Sequence, residues 1–318
     1  MLQLAGYADR LSARPGQTLQ FHVANATGAP VVARVVRVLC ADPNPAIGGI
    51  QTEPVDLAVT TLAEPGPQGV AAGSYAALGP AGLLHQASGC RCSIRIHPTL
   101  ALARRQVVMS CLDDQGRGIA LELTPSMTLR ATVGTSAGPA MVETASPLPL
   151  MAWTSATLVV DAASRTLSLT VSPVSGQATG STATAALAAG PALHAAERRL
   201  SLASASDTAP VDTFNGRLEH PVLWSQAAAD APAEACLGDW DFAQEMHTQR
   251  IVDTSGRGHH GELVNTPTRA VCGSCWTGQE HNFRHAPEQY GAIHFHDDDL
   301  DDCRWPATHA ITIPEGFK

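Results

Sequence analysis

His294 and His296 alternate along a stretch that runs straight into Asp297, Asp298 and Asp299. On a β-strand that spacing sets both imidazoles on one face, and imidazole nitrogens beside carboxylate oxygens form a donor set for a transition metal. His294, His296, Asp297 and Asp299 are therefore the metal-ligand candidates; the plainer reading is a strand that ends in an acidic, solvated turn. Cys272-Gly-Ser-Cys275 has zinc-like spacing, but a structural zinc needs a second pair, and only Cys303 and scattered histidines are on offer. The eight cysteines are expected to be free and mostly buried. Asp253, Ser255 and Gly256 sit in a D-x-S-G turn with one local carboxylate, where calcium wants about six oxygens, so an Asx turn is the expectation. His259 and His260 are expected to cap or pack that turn. The chain has no G-x-S-x-G elbow and no recognisable triad context, and its glycine turns at Gly134 and Gly256 lack a following helix to cradle phosphate. No residue is assigned a catalytic or cofactor-binding role.

The elements that carry these residues read as strands. The chain has 318 residues, of which 44% are hydrophobic but only 4% aromatic, so its apolar content lies in small side chains suited to thin β-layers. Net charge is −9 and Lys and Arg are scattered, which sets nucleic-acid binding aside. No window approaches the ~18 apolar residues of a membrane helix, and the first ten residues lack the basic and apolar regions of a signal peptide. A cytoplasmic location is expected.

Arg10–Arg14 and Gln17–Val23 read as strands around Pro15-Gly16, and 31–39 as a further β-run. Past a Pro/Gly linker near 65–69, strands are expected at 73–77, 93–97, 106–110, 118–123, 127–133, 153–160 and 165–171. The Ser/Thr/Ala/Gly tract 172–189 reads as a loop. The hairpin 153–171, the segment Phe214-Asn-Gly-Arg-Leu to Trp224, and the run from Asp239-Trp-Asp-Phe242 through the D-x-S-G turn to Gly261-Glu-Leu263 are three signatures of a laminin-G-like sandwich. Their order implies a circular permutation. The fold expected is all-β: a laminin-G-like (concanavalin-A-like) jelly-roll sandwich, 63–284, inserted into or next to a smaller, incomplete immunoglobulin-like β-sandwich, 1–62 plus 285–318.

Leu4–Arg10, Arg37–Pro45, Asn265-Thr-Pro-Thr-Arg-Ala270 and Tyr290-Gly-Ala-Ile-His-Phe-His-Asp-Asp-Asp299 together resemble the N-terminal part of N,N-dimethylformamidase large subunits, from about Leu4 to Phe317. The resemblance implies an amidohydrolase that splits dimethylformamide into dimethylamine and formate. It also implies a later catalytic domain holding iron through two tyrosines and a glutamate, and a small helical partner subunit. None of those ligands maps onto this chain, whose tyrosines are Tyr7, Tyr75 and Tyr290. Ile311-Thr-Ile313 and Pro314-Glu-Gly316 read as a strand and turn that lead into a further strand, so a fragment is expected. The implied function is a non-catalytic scaffold and subunit-contact module. The alternative is a stand-alone lectin-like sandwich that binds a carbohydrate or a protein; its tryptophans fall mostly where strands bury them, which disfavours sugar stacking.

Overall fold

Short β-rich runs broken by Gly, Pro and Asp leave no room for an amphipathic helix. In the computed structural model, which describes residues 3–55, 60–62, 66–85, 87–175 and 180–316, no α-helix occurs. Contacts divide the chain into a smaller unit, residues 1–70 with 303–318, and a larger one, residues 71–302. The boundaries read from sequence lie at 62/63 and 284/285. The difference at the second is a strand, Ala292–Phe295, which pairs within the larger unit.

The chain starts in the smaller unit with β1 (Leu4–Ala8), β2 (Thr18–Asn25), β3 (Val31–Ala33), β4 (Val36–Cys40), β5 (Gln51–Pro54) and β6 (Thr60–Leu62). The first strand lies earlier than expected, because Leu4–Ala8 and not Arg10–Arg14 pairs with β2. The Asp9 carboxylate accepts the Gln20 N–H (2.9 Å) and closes the ladder, so 10–17 becomes the connecting loop. The β-run 31–39 is also split, since β3 pairs with β6 and β4 with β5. After β5, residues 56–59 lie outside the described residues.

The larger unit comprises β7 (Tyr75–Leu78), β8 (Cys90–Pro98), β9 (Gln106–Ser110), β10 (Ile119–Leu123), β11 (Leu129–Val133), β12 (Ala140–Glu143), β13 (Thr154–Asp161), β14 (Thr166–Pro173), β15 (Ser181–Ala186), β16 (Leu200–Leu202), β17 (Gly216–Trp224), β18 (Cys236–Asp241), β19 (Arg250–Asp253), β20 (Gly261–Val264), β21 (Thr268–Val271) and β22 (Ala292–Phe295). One antiparallel layer runs β12-β11-β10-β9-β16-β7-β20-β19 and continues through β18 into a second, β17-β8-β13-β14-β15, with β22 and β21 added on β17. The tract expected to be a loop contains β15, which pairs with β14 over Thr166–Val171; residues 176–179 lie outside the described residues. Alanines at 183 and 185 and the threonine between them suit a narrow half-buried strand. The core between the layers takes alternate residues from each strand: Cys90, Cys92, Ile94 and Ile96 from β8, Leu158 and Val160 from β13, and Leu167 and Leu169 from β14. This is the jelly-roll-type sandwich expected. The chain then returns to the smaller unit, where β23 (His309–Thr312) pairs with β2.

The N-x-P-x-R-A segment is a structural lock. Asn265, Thr266 and Ala270 all have left-handed backbone, with φ of 59°, 47° and 54°. The Asn265 amide donates to the carbonyls of Ala71 and Gly73. The Arg269 guanidinium donates to five backbone carbonyls, those of Phe242, Gln244, Glu245, Thr248 and Arg250, and so staples the loop before β19. Burial pulls its pKa down.

Candidate functional site

Strand alternation sets the outward residues of β8, β17 and β22 on one surface. Ile96, Leu218, Ile293 and Phe295 point into the core, so His97, Arg217 and His294 point out. Register brings these three into one row: Arg217 stands opposite His97 on β8 and opposite His294 on β22. The Trp153 ring covers the His97 end, with centroids 5.1 Å apart. His296 extends the other end, its ring 4.0 Å from that of His294. Thr99 Oγ1 lies 3.3 Å from His294 Nε2.

The row is short of hydrogen-bond partners. His97, only 7% exposed, has a buried Nδ1 with no partner; so do Arg217 at Nε and Asn215, two residues earlier, at Nδ2. Arg217 Nη1 donates to the Cys272 carbonyl at 3.3 Å. Burial lowers the pKa of His97, with Arg217 adding to the effect. His294 is brought down to about 4, by burial first and then by His296, Arg217 and His97. Both imidazoles are thereby held neutral at pH 7.

The sequence candidates are thus partly assembled. His294 and His296 do share a face, but the carboxylates are engaged elsewhere: Asp297 pairs with Arg104 at 2.9 Å, and Asp299 accepts the Ser74 hydroxyl at 2.7 Å. Among the described residues no group of three His, Cys, Asp or Glu is placed to hold a metal ion. Asp253 forms the Asx turn: Oδ1 accepts the N–H of Asp239 and Ser255, and Oδ2 accepts the Ser255 hydroxyl and the His259 N–H. His259 Nδ1 meets the Leu237 carbonyl and His260 Nδ1 takes the Asp253 N–H, so both pack that turn. Cys90, Cys92 and Cys111 are buried and the other five cysteines are not; all eight are free. Sequence reading passed over His97 and Arg217. The signal available was the alternation of Cys-Arg-Cys-Ser-Ile-Arg-Ile-His97, which puts His97 on the outward side with Arg95.

A cleft of about 280 Å³ lies further along the same face, lined by Arg95, Glu219, His220, Asp241, Cys275 and Glu288, among others. Glu219 is 4% exposed and pairs with Arg95 at 3.3 Å, while the Ser274 N–H adds a second bond. His220, with left-handed φ of 49°, meets Asp239 at 2.8 Å, which raises its pKa. A thiol, an imidazole and a carboxylate in one region suggest nucleophilic catalysis. However, burial and then Glu219 push the Cys275 thiol up, and its Sγ lies against the Glu288 carbonyl, so no thiolate is prepared. Of the tryptophans, Trp240 and Trp305 are buried, Trp224 lies under the Arg91 guanidinium, and Trp276 is exposed. Among the described residues no helix is long and apolar enough to cross a membrane.

No family model matches the chain. Two curated relatives do. One is the N,N-dimethylformamidase beta subunit of Paracoccus aminophilus, 33% identical over 367 aligned positions that take in 100% of this chain and 46% of the relative. The other is the same subunit from an Alcaligenes species, 30% identical over 355 positions, with 100% and 46% covered. Among solved structures, a putative carbohydrate binding protein from Bacteroides ovatus aligns with a TM-score of 0.44 at 13% identity, over 79% of this chain and 68% of that one. Domains LG4-5 of the mouse laminin alpha1 chain align with a TM-score of 0.35 at 14% identity, over 58% and 51%. The chain spans about half the length of the curated relatives it matches, at 46% of each. Along all of its length the chain is related to the N,N-dimethylformamidase beta subunit, and it fits the N-terminal part of that subunit.

Proposed function

We propose that this chain is the non-catalytic β-sandwich part of a cytoplasmic, dimethylformamide-hydrolysing large subunit, and that it scaffolds a catalytic part outside it. The observation that carries this reading is coverage: the whole chain is matched, yet it accounts for only 46% of each relative. An iron held by two tyrosines and a glutamate does not fit the residues present. The Tyr290 hydroxyl donates to the Glu280 carbonyl, Tyr7 accepts the Trp305 N–H in the other unit, and Tyr75 is 2% exposed in the core. On this reading the iron belongs to the rest of the parent subunit.

The smaller unit supplies a surface suited to contact. Val36, Val38 and Leu39 on β4, with Ile47 and Ile50 in the loop to β5, are all more than 40% exposed. Its occupants on this reading are the catalytic part of the same subunit and a small helical subunit. The test is dimethylamine release from dimethylformamide by the purified chain, alone and with the remainder of a related subunit supplied in trans. No release is expected from the chain alone, and co-purification is expected with the remainder. Turnover by the chain alone overturns the reading.

A further inference from the structure

We infer that the outer face of β8, β17 and β22 is a binding site for a carboxylate, gripped by Arg217 between His97 and His294. Three cations stand on this part of the surface, and two are matched. Arg91 lies 4.0 Å from the Trp224 ring, and Arg95 is paired with Glu219. Arg217 has no carboxylate partner among the described residues, and its Nη1 donates to the Cys272 carbonyl. An unmatched guanidinium with a buried N–H carries a desolvation cost that an anion removes.

The vacant donors gather here. Among the described residues four buried side-chain nitrogens lack a partner, and three of them are His97 Nδ1, Asn215 Nδ2 and Arg217 Nε. Such groups are rare in folded proteins and ask for an acceptor. The row itself has none to give at neutral pH beyond one imidazole nitrogen per ring. Burial is the main cause of the fall of His294 to about 4, and the Arg217 guanidinium adds positive potential beside it. A planar carboxylate suits a guanidinium, whose N–H groups present parallel bonds. Thr99 and Trp153 border the two imidazoles. The carboxylate comes either from a small free acid or from an Asp or Glu side chain of another polypeptide.

The test uses the full chain at pH 7 and follows the imidazole signals of His97 and His294 by NMR. Sodium acetate probes the free acid, and N-acetyl-aspartate N-methylamide probes the peptide side chain, each against sodium chloride at matched ionic strength. Saturable shifts in both imidazoles with either probe are expected, together with a rise in the His294 midpoint from near 4. Tighter binding of the aspartate derivative assigns the polypeptide source, and tighter binding of acetate the free acid. Arg217→Met is expected to weaken binding at least ~10-fold, the loss of a charge-assisted bidentate pair. Arg95→Met, at the matched arginine, is expected to leave it unchanged. If Arg217→Met does not fold, Arg217→Lys serves instead: it keeps the charge, loses the planar fork, and is expected to weaken binding several-fold. Shifts no larger than those with chloride, or shifts unaltered in the Arg217 variants, overturn the site and leave ordered water as the partner of these donors.

Discussion

Strand β17 in the larger unit and strand β4 in the smaller one are both studded with apolar residues, yet they lie in opposite surroundings. Leu218, Val222 and Leu223 of β17 are buried, whereas Val36, Val38 and Leu39 of β4 are 42%, 55% and 57% exposed. The contrast extends to the whole of each unit. Every buried apolar side chain among the described residues belongs to the larger unit except Trp305. Both units have antiparallel backbone ladders, so strand pairing alone does not separate them. The second layer does: β17 has a facing sheet across the core, while β4 and β5 form a ladder of two strands with all but one of their residues exposed. Pairing gives a strand its shape, and a facing layer gives it stability.

The sharpest way to break this comparison is to remove one tryptophan from each unit. Trp240 is fully buried, donates its Nε1–H to the His259 carbonyl and packs so closely on Gly238 that a Cβ there would meet its ring. Trp240→Ala is expected to cost the larger unit about 3–5 kcal/mol in denaturant unfolding. Trp305 is the centre of the smaller unit: its ring lies 5.5 Å from that of Tyr7, which stacks on His22 at 4.8 Å, and its Nε1–H reaches the Gly69 carbonyl. Trp305→Ala is expected to abolish amide protection in β2 and β23 without moving the unfolding midpoint of the larger unit. A shared shift of both units would show that they unfold together.

A smaller effect concerns the turn between β19 and β20. Burial works to raise the Asp253 pKa, but hydrogen bonds from Asp239, Ser255 and His259 outweigh it and hold the carboxyl below its ordinary value. A carboxyl depressed in the folded state adds stability above its unfolded pKa of about 3.9, and that stability is lost as pH falls through the lower folded value. Asp253→Asn cannot accept at both side-chain atoms and is expected to cost about 1–3 kcal/mol at pH 7. The gap between variant and parent should narrow below about pH 4. Urea midpoints measured from pH 7 to pH 2 test this, and a constant gap would mean the charge of Asp253 does not contribute.

Much of the larger unit was legible in sequence because its strands alternate strictly. The hairpin 153–171 was read almost to the residue, with β13 and β14 in register from Thr154 to Pro173 around the Asp161 turn. Legibility failed where partners rather than periodicity decide. The Ala/Thr stretch of β15 carries little β-signal of its own and is a strand because β14 offers an edge. The run 31–39 has strong propensity but is cut because its halves find different partners. At the candidate site, H-x-H alternation placed His294 and His296 correctly. The row with Arg217 and His97 depends on register between strands ~80 and ~120 residues apart in sequence, which no local pattern encodes. The acidic run also looked like a ligand set, but Arg104 and Ser74, both distant in sequence, claim two of its carboxylates.

The finest test places the same substitution on both sides of the comparison. Val160 on β13 is fully buried, and Val38 on β4 is 55% exposed. Valine to threonine keeps the shape and exchanges a methyl for a hydroxyl. At Val160 that hydroxyl enters the core and is expected to cost about 1–3 kcal/mol. At Val38 it meets water, and the expected change is within about 0.5 kcal/mol. Equal losses at the two sites would mean that the face of β4 is covered in solution, and self-association of the chain would then account for it. A neutral Val38→Thr that nonetheless weakens co-purification with the remainder of a related subunit would instead identify that face as the contact surface, since a buried interface feels the hydroxyl that the free chain does not.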